Sequence, residues 1–131
     1  MATTPTLVWT TLTLDCADAE ALGAFYSRLF GWEITGRDGA GWLQLRNPQG
    51  VGLNIQAEDS YEPPTWPDQP GRQAKMMHFE ILVDDLDSAV LLVVSSGGRE
   101  ASHQPPDRDP TRIRVMIDPA GHPFCLFVDG E

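Results

Sequence analysis

Residues 8–31, VWTTLTLDCADAEALGAFYSRLFG, decide the fold. The first nine are rich in β-branched side chains and read as a strand over 8–16. Asp18 is a good helix N-cap. Behind it Leu22, Phe25, Tyr26, Leu29 and Phe30 recur at helical spacing, and Gly31 stops the helix. Three short strand candidates follow, over 32–37, 42–46 and 51–56. Gly36, Gly39 and Gly41 punctuate the first gap, and Asn47-Pro48-Gln49-Gly50 makes the second turn.

The same order is then written again. Residues 76–83 read as a strand, and Asp85 caps a helix carrying Leu86, Ala89, Val90, Val93 and Val94, ended by Gly97-Gly98. A weak strand at 99–102, a proline-rich loop at 103–111, and strands at 113–117 and 123–128 complete the chain. Asp118-Pro119-Ala120-Gly121 is the last turn. The two cap aspartates stand 67 positions apart and the two four-residue turns 71 apart. An insertion in one loop accounts for the difference, so the unit is an internal repeat. We place module one at 7–56, a proline-rich linker at 57–75 and module two at 76–129, within one domain over 1–131. Neither module has enough apolar surface to stand well alone. The two should pair, within the chain or between chains.

The phrases LDCADAEALGAFYSRLFGW, MHFEILVDDLDSAV and DPAGHPFCLF, in this duplicated order, resemble the vicinal oxygen chelate superfamily. That group includes glyoxalases, bleomycin-resistance proteins and extradiol dioxygenases, and the likeness is to its glyoxalase-like branch. The resemblance covers nearly the whole chain outside the proline-rich loops. It implies an α+β fold: two tandem βαβββ modules forming a curved mixed sheet around a cleft, with helices on the outer face. It is specific for the fold and weak for the reaction, because the scaffold hosts many activities.

Metal-dependent members hold one divalent ion with ligands from the first and last strands of each module, usually two histidines or glutamines and two glutamates. Carried over through the repeat register, those positions read Thr11, Asn54, His78 and Cys125. Only His78 is a good ligand for such an ion; threonine and asparagine are weak neutral donors, and a Cys/His pair needs further partners to hold zinc. We therefore expect no tightly bound catalytic metal and no cofactor.

Strand alternation from those positions sorts the side chains by face. Trp9, Thr11, Thr13, Trp42, Gln44, Arg46, Asn54, Gln56, His78, Glu80, Cys125 and Phe127 share the cleft side. Leu12, Leu14, Leu43, Leu45, Phe79, Ile81 and Val83 face the helices as core. Aromatic walls with a few polar groups suit a small organic ligand. His78 beside Glu80 is the best acid–base pair, since imidazole changes charge near neutral pH; the plainer role is a histidine satisfied by its neighbours. Cys16 and Cys125 are read as buried small hydrophobes before nucleophiles. His122 is expected to be structural or solvent-facing, and His103 to lie at the surface. Tyr61 and Trp66, in the proline-rich linker, read as a lid or a partner contact; the plainer reading is that Trp66 pins the linker to the sheet.

Composition narrows the partners. Of 131 residues nineteen are acidic and nine basic, for a net charge of −10, and Lys75 is the only lysine. That balance argues against nucleic acid and against an anionic membrane surface. Two cysteines are too few for a disulfide scaffold, no apolar run spans a bilayer, and residues 1–6 lack a leader pattern. A cytoplasmic protein is the expectation. Leu91 and Leu92 widen the apolar stripe of the second helix beyond what a solvated helix carries, which suggests a homodimer.

Three functions remain open: a metal-free protein that binds, and in a resistance role sequesters, a small molecule; a lyase, isomerase or dioxygenase-type enzyme using His78 and Glu80 or a displaced metal site; and an accessory homodimer with a filled cleft.

Overall fold

The computed structural model describes residues 4–129; the reading of the first residues as free of a leader falls partly outside them. Ten elements follow in order: β1 (Thr11–Cys16), α1 (Ala19–Phe30), β2 (Glu33–Asp38), β3 (Trp42–Arg46), β4 (Gly52–Ala57), β5 (Glu80–Val83), α2 (Leu86–Ser96), β6 (Arg99–Glu100), β7 (Ile113–Ile117) and β8 (Pro123–Val128). The tandem βαβββ order is as the repeat predicts.

Both helices begin by the same local chemistry. The Asp18 carboxylate accepts from the Ala21 amide at 3.1 Å, and Asp85 accepts from the Ser88 amide at 3.4 Å. Gly31 and Gly97 close them in the left-handed region, with φ of 71° and 116°. Gly23 faces Leu43 so closely that a Cβ there would meet the leucine side chain. Its lack of a side chain sets how near α1 comes to the sheet.

The strands divide into two four-stranded mixed sheets, one per module, in the orders β1-β4-β3-β2 and β5-β8-β7-β6. β1 runs parallel to β4 and β5 parallel to β8; the other neighbours are antiparallel. Among the described residues no ladder joins β1 to β5, so the curved sheet is two ladders and not one. The first strands are also shorter than their sequence suggests. β1 starts at Thr11, not at 8, because its pairing with β4 begins with Thr11 opposite Gly52. β5 starts at Glu80, not at 76: its register begins with Glu80 opposite Cys125, and Met76 turns the chain with φ of 61°.

The two modules pair within the chain. One core cluster contains Leu14, Tyr26, Leu43 and Ile55 from the first with Met116 and Phe124 from the second. Phe25 and Phe124 lie 6.4 Å apart, and Arg28 donates to the Ser96 carbonyl at 3.1 Å. All seven side chains expected on the helix side belong to this cluster or pack against it. Among the described residues no helix is long and apolar enough to cross a membrane.

Candidate functional site

The expected cleft residues fall into two groups on the sheet faces. In module one Asn54 donates to the Thr11 hydroxyl at 3.2 Å, and Arg46 reaches the Asn54 side-chain oxygen at 3.3 Å and the Leu45 carbonyl at 2.7 Å. Gln44 donates to Thr35 at 3.0 Å, and Gln56 donates to Glu58. Trp42 opens β3, half-buried, opposite Gln56. The polar side chains of Thr11, Gln44, Arg46, Asn54 and Gln56 are each answered by a neighbour. In module two His78 Nε2 stands 3.8 Å from Glu80 Oε2, and the donor atoms of His78, Glu80 and Cys125 all lie within 4.8 Å of one another. Phe127 sits half-buried opposite Leu82 and Ile113. Among the described residues no hydrogen bond or ion pair joins the two groups.

The donors at the four register positions do not fit the divalent ion of the metal-dependent relatives. Thr11 and Asn54 offer only neutral oxygens, the first accepting from the Asn54 amide and the second from Arg46, and no carboxylate stands at any of the four.

The larger opening lies elsewhere. A cavity of about 790 Å³ sits between β1, the start of module two at 76–79 and the connecting loop at 58–62, 64 and 73–75. Leu12, Leu14, Phe79, Met76, Met77 and Trp9 supply apolar wall. Of these, Trp9 and Met76 are more than four-fifths exposed, at 84% and 83%, so the mouth is lined by large apolar groups open to water. Of the side chains expected on the cleft side, Trp9, Thr13 and His78 line it. His78 also lines a second cavity of about 260 Å³ with Glu80, Cys125, Trp66, Lys75 and Arg108. It stands at the boundary between the two spaces.

Three residues of this region have roles that sequence reasoning did not specify. Tyr61 and His122 both line the large cavity. The Tyr61 hydroxyl donates to the Ala120 carbonyl at 2.8 Å, and His122 Nε2 donates to the Asp15 carbonyl at 2.6 Å, binding loop, turn and β1 together. Burial, with Asp118 nearby, pushes the Tyr61 phenol well above its ordinary value, so it acts as a neutral hydrogen-bonding group. The third is Asp118 itself, read only as a turn residue. It is buried at the module boundary, where Tyr26 donates to it at 2.7 Å and the Ala120 and His122 amides at 2.9 and 3.0 Å. Trp66 pins rather than covers: its indole donates to the His103 carbonyl at 2.9 Å, and Lys75 lies 4.8 Å from its ring centre.

Paired βαβββ modules with an open cavity at their junction define a protein of the vicinal oxygen chelate type. The family model for the glyoxalase-like domain matches residues 11–127, and the chain belongs to that family. A search of curated proteins finds no match. Among solved structures, the genomically encoded fosfomycin resistance protein FosX of Listeria monocytogenes is 16% identical. It has a TM-score of 0.67, and the match covers 97% of this chain and 94% of that one. A glyoxalase/bleomycin resistance protein/dioxygenase family enzyme of Burkholderia phytofirmans is 15% identical with a TM-score of 0.65, covering 91% and 96%. A glyoxalase/bleomycin resistance protein of Albidiferax ferrireducens is 16% identical with a TM-score of 0.61, covering 93% and 98%. At these identities the likeness is one of fold.

Proposed function

We propose that this protein binds a small organic molecule in the cavity between β1 and the start of module two, without a tightly held catalytic metal. Its role would be sequestration or resistance; two of its structural neighbours are named as resistance proteins. The observation that carries this reading is the cavity itself. Its volume of about 790 Å³ is in the range of drug-sized sites, and apolar walls meet a few polar groups in it. The test is a thermal-shift screen of hydrophobic small molecules, followed by amide NMR on each hit. Binding that perturbs Trp9, Met76, Met77 and His78 supports the reading. Hits that perturb only the Thr11–Asn54 face, or none at all, overturn it.

A second reading rests on the cluster of His78, Glu80 and Cys125. Three donors within 4.8 Å of one another could close on an ion as a displaced metal site inside module two, and His78 with Glu80 would supply acid–base chemistry for a lyase-, isomerase- or dioxygenase-type reaction.

We also propose a homodimer through α2. Leu91, Leu92 and Val94 leave an exposed apolar row on its outer side. A Leu91→Glu change should convert a dimer to a monomer in light scattering; a monomeric parent would refute the pairing.

A further inference from the structure

The charges around the large cavity are one-sided. Asp15, Glu58, Asp59 and Glu62 all line it. Gln56 donates to Glu58, and among the described residues no cation pairs with any of the four. The opposing groups are few. No arginine lines the cavity, although the chain has eight. Lys75 lines it, but its ammonium is held by Asp68 at 3.3 Å over the Trp66 ring. His122 spends its Nε2 proton on the Asp15 carbonyl, and His78 faces Glu80.

Resting on the binding role proposed above, we infer that the occupant is a hydrophobic organic cation, an amine or quaternary ammonium attached to an apolar body, and that anions are excluded. Two properties of the walls fit this class. Trp9 presents an exposed indole at the mouth, and a cation over an aromatic face gains attraction from the ring quadrupole. Met76 and Met77 are flexible, polarisable side chains that adapt to apolar bodies of different shape. A phosphonate or carboxylate would instead meet four like charges with no free guanidinium or ammonium to answer them. On a chain of net charge −10 the longer-range field adds to the same preference.

The test uses three probes with one body: naphthylmethylamine, naphthylmethanol and naphthoate, titrated by tryptophan fluorescence and amide NMR. The amine should bind on the order of tenfold more tightly than the alcohol, and naphthoate more weakly than both. Because the carboxylates are exposed, about 0.5 M salt should remove most of the amine's advantage. So should the combined change Asp15→Asn, Asp59→Asn and Glu62→Gln, with alcohol binding kept as the check on folding. Naphthoate binding as well as the amine, or an amine advantage that survives both salt and neutralisation, overturns the inference. Alcohol binding in the cavity with no amine advantage also overturns it, while leaving the binding role intact. Binding of none of the three overturns both.

Discussion

The Tyr26 hydroxyl donates to the Asp118 carboxylate at 2.7 Å, joining α1 of module one to the β7–β8 turn of module two across 92 positions of sequence. Tyr26 is fully buried and Asp118 nearly so. The bond therefore fixes how the two modules meet, next to the wall that His122 and Tyr61 complete. Tyr26→Phe keeps the ring and its stacking on Phe30 but removes a buried donor. It should cost about 1–3 kcal/mol in urea unfolding, because the Asp118 carboxyl stays buried and loses a hydrogen-bond partner. A loss under about 0.5 kcal/mol would remove this bond from the account of module pairing.

Burial raises Asp118 above the ordinary carboxylate value, against the opposing pull of His122 and of its hydrogen bonds. A group that holds its proton more tightly folded than unfolded stabilises the fold at low pH. That contribution is lost as pH rises from the unfolded value through the folded one. Asp118→Asn abolishes the titration. Wild-type stability, measured relative to Asp118→Asn, should therefore fall as pH rises above the ordinary carboxylate value. A constant or rising difference would mean the carboxylate is not destabilised by its burial.

The uneven legibility of the chain follows from where each signal resides. The caps at Asp18 and Asp85 and the stops at Gly31 and Gly97 are local chemistry, and they appear where the spacing places them. Repeat register also brought Thr11 to Asn54 and His78 to Cys125, since equivalent strands pair equivalently in both modules. The starts of β1 and β5 were not legible, because a strand extends only as far as its partner does. Nor was the large cavity, whose outer wall is a loop without periodicity. Tyr26 and Asp118 have no local pattern that announces a partner 92 positions away.

The two thiols should differ in reactivity. Cys16 is fully buried, and burial together with Asp118, Asp18 and Asp15 pushes its thiol up to about 11. Cys125 is almost as buried but borders the smaller cavity. A thiol reagent at pH 8 should label Cys125 slowly in the native protein and Cys16 only on unfolding. Mass spectrometry of the labelled peptides reads the order, and Cys16 reacting first would contradict the packing.

Trp9 separates binding from folding. At 84% exposed it gives the core almost nothing, so Trp9→Ala should leave stability within about 0.5 kcal/mol. At the cavity mouth it should matter: affinity for a bound aromatic molecule should fall on the order of tenfold. Calorimetry on both proteins with one ligand checks the pair of outcomes. Unchanged affinity would place the occupant away from β1.

Metal retention decides between the two functional readings. His78, Glu80 and Cys125 are close enough to share an ion, yet Lys75 and Arg108 face the same small cavity and would repel one. Burial and Glu80 also raise the Cys125 thiol, which makes the thiolate a metal needs harder to form. Protein dialysed against zinc and then against buffer should thus keep well under one equivalent by elemental analysis. Added cobalt(II) should give no thiolate charge-transfer band. One retained equivalent that vanishes in both His78→Ala and Cys125→Ser would reverse the order, making the metal site primary and leaving the larger cavity as its approach.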